Sequence, residues 1–132
     1  MACRFTELIV DARDPEAQAR FWAAVLGWQA TEREGLHFLM PPNPAIPVVV
    51  FVTVPEEKSV KNRLHIDVSP TDRTRDEEVE RVLALGAARA DIGQGDVDWV
   101  VMRDPEGNEF CVLGSQVESD VTKWPWPGMG ET

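Results

Sequence analysis

The segment Asp104-Pro-Glu-Gly-Asn-Glu-Phe-Cys111 decides the local fold near the carboxyl-terminal end of the chain. Its first five residues have turn composition, because proline suits the second turn position and Gly or Asn tolerates the positive φ that closes a hairpin. The flanking residues, 97–102 and 109–113, are short runs rich in apolar side chains, which is typical of strands. The sequence therefore predicts a β-hairpin that turns at residues 104–108.

The residues before this hairpin predict a strand and a helix. Residues 64–68, Leu-His-Ile-Asp-Val, are typical of a strand. Thr74 and Glu77 have the spacing of a capping box, which marks the start of a helix. The helix would present Val79, Val82 and Leu83 on one face and end at Gly86.

The amino-terminal half of the chain repeats this order. Residues 5–12 predict a strand, Asp14 and Pro15 predict the start of a helix, and Gly27 predicts its end in a left-handed conformation. The apolar face of this helix is predicted to contain Ala17, Phe21, Ala24 and Val25. Three strand-like runs follow, at residues 28–31, 36–40 and 48–54. When Glu7 is set over His65, Gly27 falls close to Gly86 with a slip of one residue, which indicates a duplicated βαβββ unit.

Side chains alternate between the two faces of a strand, so each predicted strand can be divided into an apolar row and a mixed row. The mixed rows are Glu7, Ile9 and Asp11; Arg63, His65 and Asp67; and Glu109, Cys111 and Leu113, with Trp99 and Val101 on the same side as Cys111. Such rows either face open solvent, as in many antiparallel sheets, or line a pocket. Alternation alone leaves both interpretations open.

Composition limits the class of protein. The chain has 132 residues and a net charge of −10, which favours a globular domain and argues against binding to phosphate backbones or anionic membranes. The longest apolar run, residues 48–54, is too short to span a membrane. Two cysteines, Cys3 and Cys111, do not form a disulfide framework, so we expect a cytoplasmic protein.

Three segments in order resemble the glyoxalase-like branch of the glyoxalase/bleomycin-resistance/dioxygenase, or vicinal oxygen chelate, superfamily. They are Asp14-Pro-Glu-Ala with Phe21-Trp22 and Leu26-Gly-Trp28, then Lys61-Asn-Arg-Leu-His-Ile-Asp67, then the 104–111 segment. The resemblance implies an α+β fold of two βαβββ modules, at about 4–56 and 61–116, within one domain of residues 1–116. The modules would form a curved mixed-sheet half-barrel with helices on its convex face, followed by a Trp/Pro tail at 117–132. It also implies a homodimer.

The resemblance further implies a metal position. Metal-dependent members take ligands from the first, fourth, fifth and eighth strands, and these positions correspond here to Glu7, residues 51–53, His65 and Cys111. Residues 51–53 offer no good ligand, so the sequence departs from the metal-dependent pattern. Glu7, His65 and Cys111 remain able to hold a divalent ion such as zinc, nickel, iron or manganese, although no cofactor is favoured. The alternatives are an ion pair between Glu7 and Arg63 and a buried, structural Cys111.

The leading functional hypothesis is a metal-free protein that binds a small molecule and sequesters a drug or natural product. The expected partner is a small-molecule ligand, with no nucleic acid and no membrane. The alternative is a metal-dependent lyase, isomerase or dioxygenase of the same superfamily. The residues expected to contact the ligand are Glu7, Arg63, His65, Asp67, Trp99, Glu109 and Cys111.

Overall fold

A computed structural model of the chain describes residues 2–126 and 128. These residues form two helices and eight strands: β1 Glu7–Ala12, α1 Pro15–Leu26, β2 Gln29–Arg33, β3 Leu36–Met40, β4 Val48–Thr53, β5 Asp67–Val68, α2 Arg75–Leu85, β6 Ala88–Arg89, β7 Val100–Arg103 and β8 Glu109–Val112. The chain divides into two compact units, Met1–Ser59 and Val60–Thr132, which we call the first and second modules. Each has the predicted βαβββ order, so the α+β fold class is confirmed.

The first module contains a mixed sheet with strand order β1-β4-β3-β2. β1 runs parallel to β4, and β3 pairs antiparallel with both β4 and β2. α1 begins as predicted, because the Asp14 side chain accepts a hydrogen bond from the Ala17 amide and Pro15 occupies the first turn. It ends at Gly27, whose φ of 70° is the left-handed conformation that glycine adopts without steric cost.

The buried face of α1 differs from the predicted one. The buried residues are Gln18, Ala19, Phe21 and Trp22, whereas Ala24 is exposed. α1 lies against β3 and β4, and the rings of Phe21 and Trp22 meet edge to face with centroids 5.3 Å apart. Because both adjacent large rings are buried, the helix is rotated about its axis relative to the predicted face, which included Ala24.

The second module contains a mixed sheet with strand order β5-β8-β7-β6. β5 runs parallel to β8, and β7 pairs antiparallel with β8 and β6. α2 begins at the predicted capping box, with both reciprocal hydrogen bonds between Thr74 and Glu77 present. Its apolar face lies against β8, with Val79 and Val82 fully buried. The second helix and its limits were therefore predicted correctly.

The strands of the second module depart from prediction at their ends. β5 contains only Asp67 and Val68, and Leu64, which we expected in an apolar row, is exposed. At Asn62, farther from the strand, a side chain holds the preceding loop, since the Asn62 amide donates to Glu109 Oε2 at 3.1 Å. β7 begins at Val100 and not at residue 97. The two-residue β6 had no recognisable pattern of its own.

The turn of the predicted hairpin is organised by a buried carboxylate. Asp104 Oδ1 accepts hydrogen bonds from the amides of Glu106 and Asn108, both at 2.9 Å. Asp104 Oδ2 accepts from Asn108 Nδ2 at 3.1 Å, and Gly107 takes a positive φ of 87°. The hairpin prediction is confirmed, and this turn fixes where β8 starts relative to β7.

The start of the predicted tail follows the second module. The Val117 amide donates to the carbonyl of Pro70 at 3.0 Å, while the indoles of Trp124 and Trp126 are exposed. Residues 127 and 129–132 of the predicted tail lie outside the described residues. Within residues 2–126 and 128, neither helix has both the length and the apolar character needed to cross a bilayer. The predicted half-barrel and homodimer stay predictions.

Candidate functional site

One face of the sheet in the second module carries a continuous row of paired residues. Asp67 is directly opposite Cys111 across β5 and β8, and Cys111 is directly opposite Val101 across β8 and β7. The Ala90 amide donates to the Val101 carbonyl at 2.9 Å, which continues the row toward the far edge. Directly paired residues point to the same side of a sheet. The prediction that Val101 and Cys111 share a face is therefore confirmed.

A second row lies on the same side of the sheet, two residues before Cys111 in β8 and two residues after Val101 in β7. Glu109 pairs with Arg103 across β7 and β8. His65 precedes Asp67 by two residues, and the Cys111 amide donates to the carbonyl of the intervening Ile66 at 3.1 Å. The backbone pairing of β5 with β8 thus extends past the assigned strand. This places His65 on the same side as Asp67, and we call the side that holds both rows the polar face.

Three side chains on the polar face come together: His65, Asp67 and Cys111. His65 Nε2 lies 3.2 Å from Asp67 Oδ1. Each residue contributes one potential ligand atom, and these three atoms all lie within 4.8 Å of one another. The His65 and Asp67 side chains are each 45% exposed, whereas Cys111 is buried. The cluster is thus anchored in the core at its sulfur and open to solvent at its imidazole and carboxylate.

The environment of Cys111 keeps its thiol protonated. Burial raises the pKa of this thiol most, and the negative charge of Asp67 and a hydrogen bond to that carboxylate raise it further. The ammonium group of Lys61 acts in the opposite direction. Burial disfavours the charged thiolate, and a nearby anion does the same. In the absence of other ligands, Cys111 is therefore a hydrogen-bond donor to Asp67.

The order of the three groups limits their chemistry. A cysteine nucleophile is activated by a base that accepts the thiol proton, usually an adjacent histidine. Here Asp67 lies between the other two groups: it accepts a hydrogen bond from Cys111, and its Oδ1 lies 3.2 Å from His65 Nε2. The raised pKa of Cys111 also opposes thiolate formation. The arrangement suits recognition of a polar ligand, or metal coordination through three different donor atoms, better than nucleophilic catalysis.

Glu109 links the strand that carries Cys111 to the loop before His65. Its side chain is buried, and Oε2 accepts the hydrogen bond from the Asn62 amide that holds the loop before His65. A buried carboxylate is expensive to place unless its oxygens find donors. Because Glu109 belongs to β8, this bond ties the loop to the strand that carries Cys111. Glu109 therefore ties the loop before His65 to β8, and its predicted contact with a ligand stays a prediction.

The remaining predicted site residues are distributed over both modules. Arg63 is exposed in the loop before β5, and Trp99 is 43% exposed immediately before β7. Glu7 is exposed at the start of β1 in the first module, where it pairs with Val48. Its predicted role as a metal ligand stays a prediction. At the fourth-strand position, Phe51 is buried in the core of the first module.

The sequence assigned Asp67 to the ligand-binding residues but not to the metal-ligating set, and the structure places it beside His65 and Cys111. Part of this placement could be predicted, because His65 and Asp67 are two residues apart and therefore share a face. The parallel register that sets Asp67 opposite Cys111 was the missing observation.

The comparisons with known proteins agree with the fold. A structure from Burkholderia phytofirmans PsJN, described as a glyoxalase/bleomycin resistance protein/dioxygenase family enzyme, is similar at a TM-score of 0.62 and 20% identity, covering 83% of this chain and 97% of that one. A fosfomycin resistance protein from Mesorhizobium loti is similar at a TM-score of 0.60 and 18% identity, covering 83% and 90%. The oxidase ChaP-H2 is similar at a TM-score of 0.60 and 17% identity, covering 87% and 95%.

These identities are low, so the three structures support the fold alone. No curated protein matches the chain. The family model described as a glyoxalase-like domain matches residues 7–113, which include every strand and helix of both modules. The chain belongs to the glyoxalase-like domain family, within the glyoxalase/bleomycin-resistance/dioxygenase superfamily.

Proposed function

We propose that this protein binds a small organic molecule on the polar face of its second module. The observation that carries the proposal is the cluster of His65, Asp67 and Cys111, whose polar atoms lie within 4.8 Å of one another beside solvent. Ligand sites combine a few convergent polar groups with aromatic or apolar walls. The cluster supplies the polar groups, and its buried neighbours Val101 and Ala90 supply an apolar floor.

Trp99 is the aromatic group best placed to contact a flat ligand. It immediately precedes β7 and lies two residues before Val101, so strand alternation would put it on the face that Val101 shares with Cys111. Its indole is 43% exposed, so a ligand would have ring surface to cover. Tryptophan contributes a large apolar area and one hydrogen-bond donor. We expect the ligand to pair a polar group with a planar apolar part.

The fluorescence of Trp99 gives a direct test. Titration with a panel of aromatic natural products, in buffer containing a chelator, is expected to give saturable quenching with at least one compound. The quenching is expected to be lost in Trp99→Leu and kept in Trp124→Leu, which removes an exposed indole outside the polar face. Equal quenching of both variants, or no saturable signal with any compound, would argue against this site.

A second candidate function is metal-assisted catalysis as a lyase, isomerase or dioxygenase. The specific observation that favours it is the mixed nitrogen, oxygen and sulfur donor set of the cluster. Among the similar structures, one is named as a fosfomycin resistance protein and another as an oxidase, so one scaffold supports different functions. Protein purified without chelator and analysed for bound metal separates the candidates. Stoichiometric metal favours the enzyme, and metal-free protein that still binds a ligand favours sequestration.

A further inference from the structure

We propose that Arg75, the first residue of α2, is a positioning residue that sets the direction of the Trp99 indole by holding the neighbouring Asp98. This inference rests on the proposed function, because Trp99 is the aromatic group expected to contact the ligand there. It adds a residue that lies outside the cluster of the polar face and acts on the ligand only through its neighbours.

Strand pairing alone does not fix the direction of Trp99. β7 begins only at Val100, and the chain bends at residues 98 and 99, immediately before it. Alternation between two faces is a property of extended strands, so at a bend it needs the support of other contacts. The direction of the Trp99 indole, which is 43% exposed, therefore depends on what holds Asp98.

Arg75 holds the main chain at this bend. Arg75 Nη1 donates a hydrogen bond to the Asp98 carbonyl at 2.6 Å and lies 3.8 Å from Asp98 Oδ1. The Asp98 side chain is 79% exposed, and an ion pair of such an exposed group contributes little. A hydrogen bond from a charged donor is stronger than one from a neutral donor. The bond to the carbonyl, and not the ion pair, is therefore the main hold on the segment.

The guanidinium group of Arg75 is itself oriented. Its Nε and Nη2 donate to Asp76 Oδ1 at 3.0 and 2.9 Å, and Nη1 donates to the Asp98 carbonyl. A planar guanidinium presents its donors in a fixed fork, so binding of two nitrogens fixes the direction of the third. The capping box of Thr74 and Glu77 fixes the start of α2 just before Arg75. The segment that precedes β7 is thus tied to the start of a helix.

Gly114 makes room for Asp98 on β8. Val100 is opposite Val112, and the same register, two residues before Val100 and two after Val112, sets Asp98 opposite Gly114. A methyl group at Gly114 would overlap the Asp98 carboxyl group, since even Oδ1, the farthest of its three atoms, would be 2.7 Å away. The φ of Gly114 lies outside the left-handed region, so this close approach, and not the backbone conformation, favours glycine. Arg75 therefore holds the carbonyl of Asp98, and Gly114 accommodates its side chain.

These contacts matter for a ligand because Trp99 is the next residue. With Asp98 held, the backbone that directs the indole has little freedom to rotate. The register of β7 and β8 sets Trp99 opposite Leu113, which packs against the apolar floor of the polar face. Arg75 thus favours an indole that stands beside this floor before a ligand arrives. Such preorganisation raises affinity, because less ordering is left to the binding step.

Fluorine resonances of the ligand-free protein test this role directly. Labelling of the full chain with 5-fluorotryptophan gives one resonance for each of the five tryptophans, and Trp99→Phe identifies that of Trp99. Arg75→Gln is expected to shift or broaden this resonance alone. Arg73→Gln, the matched control, removes the same charge from a guanidinium that pairs with the exposed Asp72, and is expected to leave the resonance unchanged. An unmoved Trp99 resonance in Arg75→Gln, an equal change in Arg73→Gln, or an equal shift of all five resonances would overturn the proposal.

A pair of substitutions tests the contact with Gly114. Gly114→Ala is expected to move the Trp99 resonance, because the added methyl group displaces the Asp98 carboxyl group. Asp98→Ala in the same chain removes the overlapping atoms and is expected to restore the resonance. Asp98→Ala alone should keep it, since the carbonyl bond to Arg75 remains. An unmoved resonance in Gly114→Ala, or no restoration in the double variant, would exclude Gly114 from this role.

A double-mutant cycle connects the position of the indole with binding. The probe is 8-anilinonaphthalene-1-sulfonate, which joins planar rings to a polar group and reports its own binding by fluorescence. Arg75→Gln is expected to weaken probe binding about 3–10-fold, the value of one aromatic contact, and to have no further effect in a Trp99→Leu background. An equal loss in both backgrounds would overturn the positioning role.

The two measurements separate this inference from the proposed function. A Trp99 resonance that moves in Arg75→Gln, with no binding of the probe or of any compound in the aromatic panel, would keep the positioning role and sink the proposed function. Probe binding that Trp99→Leu weakens, with a Trp99 resonance that does not move in Arg75→Gln, would do the reverse.

Discussion

Asp67 and Cys111 face each other across the parallel pairing of β5 and β8, and the thiol of Cys111 donates a hydrogen bond to the Asp67 carboxylate. The two residues are 44 positions apart in the chain, since 111 − 67 = 44. Neither strand has a distinctive pattern that specifies this register. The contact makes the reactivity of Cys111 depend on Asp67, which leads to the first prediction.

Removal of the Asp67 charge is expected to lower the pKa of the Cys111 thiol. The carboxylate raises this pKa through its charge and its hydrogen bond, so Asp67→Asn leaves burial as the main remaining cause. A lower pKa means more thiolate at a given pH, and the rate of alkylation should rise at lower pH than in the parent protein. The rate is measured against pH in a Cys3→Ser background with chelator present.

Lys61 provides the control of opposite sign for this experiment. Its ammonium group lowers the pKa of Cys111, so Lys61→Gln is expected to shift the alkylation curve to higher pH. If the two variants shifted the curve in the same direction, the electrostatic explanation of Cys111 would be wrong.

Truncation of the buried carboxylate in the hairpin turn is expected to destabilise the second module. Asp104→Ala leaves the amides of Glu106 and Asn108 without their acceptor. Loss of a buried hydrogen-bond partner costs about 1–3 kcal/mol, so we expect the free energy of unfolding in urea to fall by at least that amount. Asp91→Ala, which removes a similar amide contact to Gly93 from an exposed loop, is the control and should cost less.

The capping box of α2 is expected to contribute to stability through both of its side chains. Thr74→Ala removes the acceptor of the Glu77 amide, and loss of an N-cap costs about 1 kcal/mol. Thr74→Ser keeps the hydroxyl and should cost less. Chemical denaturation of the three proteins at neutral pH measures the difference, and a Ser variant as unstable as the Ala variant would contradict this role.

Glu77 also makes the stability of this helix depend on pH. Its carboxylate accepts a hydrogen bond from the Thr74 amide, and this bond lowers the pKa of Glu77 below its ordinary value of 4.5. A lowered pKa in the folded state means that the ionised group stabilises the fold above the unfolded pKa, and that this contribution is lost as the pH falls through the folded pKa. Glu77→Gln should therefore flatten the loss of stability in acid. Denaturation curves between neutral and acid pH measure it, and unchanged acid sensitivity would exclude Glu77 as a source.

The packing of α2 against β8 is expected to limit the stability of the second module. Phe110 is fully buried on the face of β8 opposite Cys111. Phe→Ala changes in cores cost about 3–5 kcal/mol, so Phe110→Ala should lower the midpoint of urea unfolding by the largest amount of any variant described above. Trp124→Ala, at an exposed indole, should change the free energy of unfolding by about 0.5 kcal/mol or less.

Local signals were enough to predict most of the elements. Asp14 and Gly27 mark the ends of α1, Thr74 and Glu77 mark the start of α2, and the 104–108 turn marks the β7–β8 hairpin. Each of these signals works over a few residues, because a cap or turn is satisfied by hydrogen bonds within its own segment. The repetition of these signals was sufficient to predict two βαβββ modules.

The candidate site depended on relations that the sequence does not contain. Alternation placed His65 and Asp67 on one face and Cys111 on the mixed face of another strand, but it did not show that these rows meet. The pairing of β5 with β8 sets Asp67 opposite Cys111, and the buried Glu109 holds the loop that brings His65 beside them. Register and side-chain packing are set by contacts between distant segments, so only the tertiary structure decided which of the polar residues form a cluster.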